Sequence, residues 1–234
     1  MILIILNFIL VLPVVWYLFC KDQLATKGKV HLYGIYGFFG LPGRGKTMCM
    51  CKYLHDLRKQ YGDKIYIMTN FHYKDQDFPF ETWKQLLQEY DRPLVVAWDE
   101  IQNEFNSRDF KNFPVSLLTQ LTQVRKGNGI QILYTAQRWH FVDKNFRSLS
   151  FGCWDCGTLL GRYTFARMYD AFDYDQKCNE INVDKKHKVK SFKSMRFIQT
   201  DALRNSYDSF KMLQTAKSKE YLSRDEVALI NGDR

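Results

Sequence analysis

The segment Gly40-Leu41-Pro42-Gly43-Arg44-Gly45-Lys46-Thr47 (GLPGRGKT) decides the fold of this chain. It fits the pattern G-x-x-x-x-G-K-[S/T] at every defined position. Residues 31–39 before it predict a buried strand, and residues 46–61 after it predict an amphipathic helix. Because a strand, a glycine loop and a helix in this order form a phosphate-binding loop, the sequence predicts an α/β P-loop fold.

The chemistry of this loop predicts a site for ATP and Mg²⁺. Its glycines let the backbone curl until several amide N–H groups point at the phosphates, and the helix directs its positive dipole end toward them. Lys46 is expected to reach the β- and γ-phosphates, and the Thr47 hydroxyl to bind Mg²⁺. The predicted nucleotide-binding residues are Gly40, Leu41, Pro42, Gly43, Arg44, Gly45, Lys46, Thr47 and Met48.

A second motif supplies two carboxylates. The apolar run 94–98 (LVVAW) predicts a strand, and Asp99 and Glu100 follow at its carboxyl end, where α/β sheets place their ligands. Asp99 is the predicted Mg²⁺ residue, and Glu100 is the predicted base that deprotonates the attacking water. A second acid of this kind favours hydrolysis over phosphate transfer to a small molecule.

A third motif, residues 130–138 (IQILYTAQR), overlaps the strand predicted at 129–135 (GIQILYT). Gln137 follows that strand and is the predicted sensor of the γ-phosphate, provided that the strand lies between those carrying Lys46 and Asp99. A solvated residue at a strand end is the alternative for Gln137. Arg125 precedes the same strand and is the predicted arginine finger, supplied to a neighbouring subunit. A solvated cation at a helix end is the alternative for Arg125.

The rest of the chain alternates strand-like and helix-like patterns, as a parallel sheet covered by helices does. Residues 64–70, 129–135 and 148–154 predict further strands, and residues 79–90 and 114–126 predict helices. We predict four regions: a transmembrane anchor at 1–20, a basic linker at 21–29, the P-loop ATPase domain at 30–155, and a β-rich and helical appendage at 156–234.

The composition and the amino-terminal segment bear on location. The 234 residues carry 34 Lys and Arg against 25 Asp and Glu, and this net charge of +9 suits polyanionic partners such as nucleic acid or acidic lipid.

Residues 1–20 contain no charged side chain, and Lys21, Lys27 and Lys29 follow them. We therefore predict one membrane span with the ATPase domain in the cytoplasm. A cleaved signal peptide and a buried core helix are the alternatives.

Two weaker patterns remain open. Cys153 and Cys156 form one C-x-x-C pair, with Cys178 and His187 further on, and this predicts buried thiols more readily than a zinc site. The basic stretch 184–196 is typical of a solvated face, although it could also follow a phosphate backbone or anionic lipid headgroups.

The chain resembles the zonular occludens toxin-like (Zot) family, the assembly ATPases of filamentous bacteriophages, within the FtsK/HerA-like P-loop ATPases of the ASCE division. The resemblance covers about residues 33–151. It rests on three blocks in the same order: GLPGRGKT, LVVAWDEIQNEFNSR with Gln102, Phe105 and Arg108 after the acids, and VRKGNGIQILYTAQR. It implies a three-layer parallel sheet domain.

The resemblance also implies a function. It implies a homo-oligomeric motor, a hexamer in the family, in the host inner membrane. Such a motor hydrolyses ATP to extrude single-stranded phage DNA while phage coat or export proteins are added. The alternative is a viral DNA-packaging ATPase of the FtsK/HerA-like class, which fills a preformed capsid. A nucleotide-dependent scaffold without turnover is a third possibility.

Overall fold

The computed structural model describes residues 30–105, 114–179 and 189–208. The chain divides after His31 into two units, and the fold given below is that of the second. Within the described ranges, no helix combines the length and the apolar character that a membrane span requires. The predicted anchor at 1–20 and the linker at 21–29 lie outside these ranges, so both stay predictions.

The described residues form one eight-stranded sheet and five helices. The strands are β1 (Gly34–Phe39), β2 (Tyr66–Thr69), β3 (Phe78–Pro79), β4 (Leu94–Trp98), β5 (Ile130–Ala136), β6 (Gly152–Leu159), β7 (Tyr163–Asp170) and β8 (Lys193–Ile198). The helices are α1 (Lys46–Tyr61), α2 (Val115–Thr122), α3 (Lys144–Leu149), α4 (Ala171–Asn179) and α5 (Asp201–Arg204). Short 3₁₀ turns cover Gly62–Lys64, Trp83–Leu87, Ile101–Asn103 and Trp139–Phe141.

The sheet has the order β3-β2-β4-β5-β1-β6-β7-β8. The first six strands in this order, from β3 through β1 to β6, are parallel to one another, whereas β7 and β8 are antiparallel to their neighbours. The prediction of an α/β fold is therefore confirmed, and the antiparallel strands β7 and β8 fall in the region predicted as a β-rich appendage, where they make the sheet mixed. A tight turn joins β6 directly to β7, and two strands joined in this way must run in opposite directions.

Strand β5 lies between β1, which leads into the phosphate loop, and β4, which leads into Asp99. Every residue of β4 and of β5 is buried, as expected for central parallel strands covered on both faces. Phe39 pairs with Ala136, and Trp98 pairs with Tyr134. The phosphate loop, the two acids and Gln137 therefore emerge at one edge of the sheet, as the sequence predicts.

Residues 79–90 do not form the predicted helix. Pro79 ends the two-residue strand β3, and only Trp83–Leu87 turn, as a 3₁₀ segment. The Gln85 side chain accepts hydrogen bonds from the backbone N–H groups of Glu81 and Thr82, at 2.8 and 3.0 Å. These bonds satisfy the start of one short turn, and the chain becomes extended again at Gln88.

The predicted boundary between residues 155 and 156 falls inside β6. The residues beyond it extend the common sheet through β7 and β8 and do not form a separate appendage. After β8, residues 199–207 leave the sheet, and we call this segment the strap. The strap contains α5, which packs against α1, and it ends beside the loop after β2, where Tyr207 bridges Tyr73.

Candidate functional site: a phosphate loop and two acids

The phosphate loop uses glycines where its backbone is left-handed. Gly43 and Gly45 have φ values of +77° and +78°, which favour glycine because other residues rarely adopt them. Gly45 also packs closely, since a Cβ atom there would lie 2.5 Å from Thr158 Oγ1. No side chain caps α1, so the N–H groups of its first turn are left for a ligand.

Lys46 opens α1 and is almost completely buried, with 6 % of its surface exposed. Its Nζ lies 3.7 Å from Glu100 Oε1. A buried ammonium group is stable only beside negative charge, and a polyphosphate would provide more of it. Glu100 has a left-handed backbone, with φ of +52°, which is strained for a residue with a side chain and is typical of functional sites.

Asp99 is buried between two hydroxyl groups. Thr47 Oγ1 lies 3.0 Å from one carboxylate oxygen of Asp99 and 3.2 Å from the other. The Thr135 hydroxyl, on β5, donates to Asp99 and accepts a hydrogen bond from the Glu100 N–H at 2.8 Å. Burial raises the pKa of Asp99 above its usual value, and the hydrogen bonds from Thr135 and Thr47 oppose this shift. Thr135 thus fixes both acids relative to β5.

The sequence analysis missed Thr135 and also Asn70, which follows β2. Asn70 Oδ1 accepts a hydrogen bond from the Asp99 N–H at 2.8 Å, and Asn70 Nδ2 donates to the Asp99 carbonyl at 3.1 Å. Asn70 therefore holds the backbone that carries the first acid. Both are polar residues at the carboxyl ends of apolar strands, and this pattern could have identified them.

The residues present fit a magnesium ion and a polyphosphate. Mg²⁺ prefers oxygen ligands, and the Thr47 hydroxyl and the Asp99 carboxylate converge within hydrogen-bonding distance of each other. Lys46 and the uncapped start of α1 lie beside them and suit an anion. The predicted metal residues and the predicted phosphate residues therefore belong to one site.

Lys46, Thr47 and Glu100 line a cleft of about 680 Å³ together with residues of the strap. The phosphate loop lines one side, from Pro42 to Met48, and Glu100 lies at the same cleft. Its other walls come from residues that the sequence analysis did not assign to the site. These are Thr158, Gly161, Gln199, Arg204 and Tyr207. They were missed because no motif connects them with the loop; only the course of β6 to β8 and the strap brings them there.

The structure separates Gln137 and Arg125 from this cleft. Gln137 follows β5 at the correct edge of the sheet, but it lines a neighbouring cleft on the other side of the phosphate loop, with Gly40 and Arg44. Arg125 is exposed in the turn before β5, at the opposite edge of the sheet. Within one chain Arg125 therefore cannot reach the phosphates, and its predicted role requires a second subunit.

The C-x-x-C pair lies on β6. Cys153 and Cys156 are both buried, and burial raises the pKa of each thiol well above its usual value. Among the residues that the structure describes, no group of three or more metal-binding side chains is found. Cys178 is half-buried on α4, and His187 lies outside the described residues.

Comparison with solved structures gives two informative neighbours. The N-terminal domain of zonular occludens toxin from Neisseria meningitidis is 17% identical over 76% of this chain and 100% of that chain, with a TM-score of 0.50. The genome packaging NTPase from Sulfolobus turreted icosahedral virus 2, in complex with ATPγS, is 12% identical over 59% of this chain and 93% of that one, with a TM-score of 0.42. No family model and no curated protein matches the sequence. The resemblance to the Zot domain is therefore confirmed at the level of fold.

Proposed function

We propose that this protein is an Mg²⁺-dependent ATPase that drives the assembly and export of a filamentous phage. The observation that carries the proposal is the placement of Lys46, Thr47 and Glu100 at one cleft, with Asp99 buried in contact with Thr47. A loop that binds phosphate, oxygen ligands for a metal and a second carboxylate are the parts that ATP hydrolysis requires. ATP hydrolysis by the purified full-length chain is the direct test.

Each residue has a separate task in this reaction. The start of α1 and Lys46 bind and orient the phosphates, and Thr47 and Asp99 would hold Mg²⁺, which neutralises charge on the phosphate oxygens. Glu100 takes a proton from the attacking water. Glu100 lies 3.7 Å from Lys46, so phosphate would compete with Glu100 for the lysine and release the carboxylate toward water.

The neighbouring cleft supports nucleic acid as a partner. Four cationic side chains line it, together with the aromatic rings of Phe165, Tyr169 and Tyr174. The cations are Arg44, Arg138, Arg167 and Lys177. Cations beside the half-buried ring of Phe165 suit a single strand, because the backbone phosphates pair with the cations and a base can stack on that ring, whereas Tyr169 and Tyr174 are buried. Gln137 lies in the same cleft, next to Arg138, so a bound strand would contact the predicted sensor loop.

We expect single-stranded DNA to raise the ATPase rate, and Arg167→Ala to reduce that stimulation without changing the rate in its absence. Arg167 is exposed on β7 and is distant in sequence from the phosphate loop and from the two acids, Asp99 and Glu100. Removing one phosphate contact should lower the slope of log affinity against log salt by about 1. The measurement is phosphate release and DNA binding over a salt series.

The control for Arg167→Ala is Lys59→Ala, an exposed cation in the last turn of α1, at the opposite edge of the sheet. It should leave the stimulation and the salt slope unchanged. Equal losses from both variants would mean that net charge, and not this cleft, attracts the DNA. Stronger stimulation by double-stranded than by single-stranded DNA would favour genome packaging over export.

We further propose that residues 1–20 anchor the protein in the inner membrane, with Lys21 onward in the cytoplasm. Support comes from the uncharged stretch and from the three lysines that follow it. A cysteine placed at position 30 should be labelled by a membrane-impermeant reagent only after the membrane is opened, and a cysteine before residue 5 should be labelled in intact cells. The reverse pattern would contradict the topology and would deprive the site of cytoplasmic ATP.

A further inference from the structure

The strap places an arginine at the same cleft as the phosphate loop. Arg204 is the last residue of α5, and it lines the cleft together with Gly43, Lys46 and Glu100. It comes from a part of the chain about 160 residues beyond the phosphate loop. Besides Lys46, it is the other cationic side chain among the described residues that line this cleft.

A buried amide anchors the Arg204 guanidinium. Arg204 Nε donates to Gln199 Oε1 at 3.1 Å, and Arg204 Nη2 lies 3.5 Å from the Gly161 carbonyl. Gln199 is only 5% exposed, and its Nε2 donates to Thr164 Oγ1 at 2.7 Å. Since a guanidinium has five N–H donors, these two bonds orient the group and leave donors for an anion.

Contacts at both ends fix the course of the strap. Near β8, Arg162 forms an ion pair with Asp201 at 2.9 Å. At the far end, the Lys74 N–H donates to the Ser206 carbonyl at 2.8 Å, and the Tyr207 ring packs edge-on against Phe71 at 6.0 Å. The strap therefore runs from the β8 edge past α1 to the loop after β2, and Arg204 lies between its two attachments.

We propose that Arg204 binds the phosphates of the nucleotide within its own subunit and that Gln199 is the residue that positions it. The proposal rests on the proposed nucleotide site at the phosphate loop. A planar guanidinium suits phosphate because it can donate two parallel hydrogen bonds.

The test measures the affinity of the full-length protein for MgADP by calorimetry. Arg204→Ala should weaken binding about 10- to 100-fold, as expected for loss of a hydrogen bond to a charged group. Arg204→Lys should recover part of the loss because it keeps the charge. The matched control is Arg196→Ala, on β8, which removes an exposed arginine that does not line the cleft. It should bind MgADP as the wild type does.

A double-mutant cycle tests the role of Gln199. Gln199→Ala should weaken MgADP binding in the wild-type background and add nothing in the Arg204→Ala background, because its effect acts through Arg204. Additive losses would show that Gln199 acts on the fold and would overturn its positioning role. Thermal unfolding without nucleotide should give similar midpoints for Arg204→Ala and Arg196→Ala.

Wild-type affinity for MgADP in Arg204→Ala would overturn the assignment and leave the proposed ATPase intact. The opposite result is also distinguishable. Suppose that Arg204→Ala weakens MgADP binding as predicted, but that the wild-type protein hydrolyses no ATP. This result would contradict the proposed function and support this inference.

Discussion

Glu100→Gln is expected to lower kcat for ATP hydrolysis by about 10²- to 10⁴-fold, the range for loss of a general base. Glutamine has the same shape as glutamate, so the left-handed backbone and the contact with the Gln102 side chain can remain. The substitution removes the negative charge and with it the ability to accept a proton from water. Phosphate release under saturating ATP measures the effect.

Binding of ATP should survive in Glu100→Gln. The phosphate loop and Lys46 are unchanged, and removing the carboxylate 3.7 Å from Lys46 leaves the lysine more available to phosphate. The control is Glu81→Gln, an exposed acid in the turn before Trp83–Leu87, which should keep the wild-type kcat. A near wild-type rate in Glu100→Gln would show that another group activates the water.

The central part of the fold could be predicted because its local signals agree. The phosphate loop requires a strand before it and a helix after it, and α1 covers Lys46–Tyr61 as predicted. Strand β4 likewise has the predicted bounds, since an uninterrupted apolar run ending in two acids fits a buried parallel strand. The structure also meets the condition set for Gln137, because β5 lies between β1 and β4.

The side of the cleft that Gln199 and Arg204 line could not be predicted, since only long-range packing brings these residues to the phosphate loop. Nothing in the local sequence of Gln199 or Arg204 indicates a phosphate loop far earlier in the chain. The antiparallel pairing of β6, β7 and β8 brings them to the cleft, and the predicted boundary between residues 155 and 156 is wrong because β6 continues through it. The helix predicted at 79–90 is limited to the 3₁₀ turn Trp83–Leu87, because Pro79 belongs to β3 and the chain is extended again at Gln88.

Arg204 and Arg125 would each add a cation to the nucleotide site, but they would do so in two different ways. Arg204 reaches the cleft within its own chain, whereas Arg125 lies at the opposite edge of the sheet. A cation that is present in every monomer supports binding of nucleotide at any time. A cation that a neighbour must supply makes hydrolysis depend on assembly, and a motor needs that dependence to coordinate its subunits. The two roles therefore predict different mutant phenotypes.

Arg125→Ala is expected to bind ATP normally and to lower kcat by about 10³- to 10⁵-fold, the range for loss of an arginine finger. The expectation applies to an oligomer in which neighbouring subunits share the nucleotide site. Lys126→Ala is the matched control, since it removes the adjacent exposed cation in the same turn. It should hydrolyse ATP at the wild-type rate. Full activity of Arg125→Ala alone would refute the finger.

Mixing two inactive variants tests whether the site is shared between subunits. Lys46→Ala cannot bind phosphate but still offers Arg125, and Arg125→Ala lacks the finger but keeps an intact phosphate loop. In a mixed oligomer, an Arg125→Ala subunit next to a Lys46→Ala subunit has both parts at their common boundary, so excess Lys46→Ala should restore activity. The same excess of a Lys46→Ala/Arg125→Ala double variant should restore none. An unassociated monomer that hydrolyses ATP at the full rate would contradict the shared site, because it would contain every group that the reaction needs.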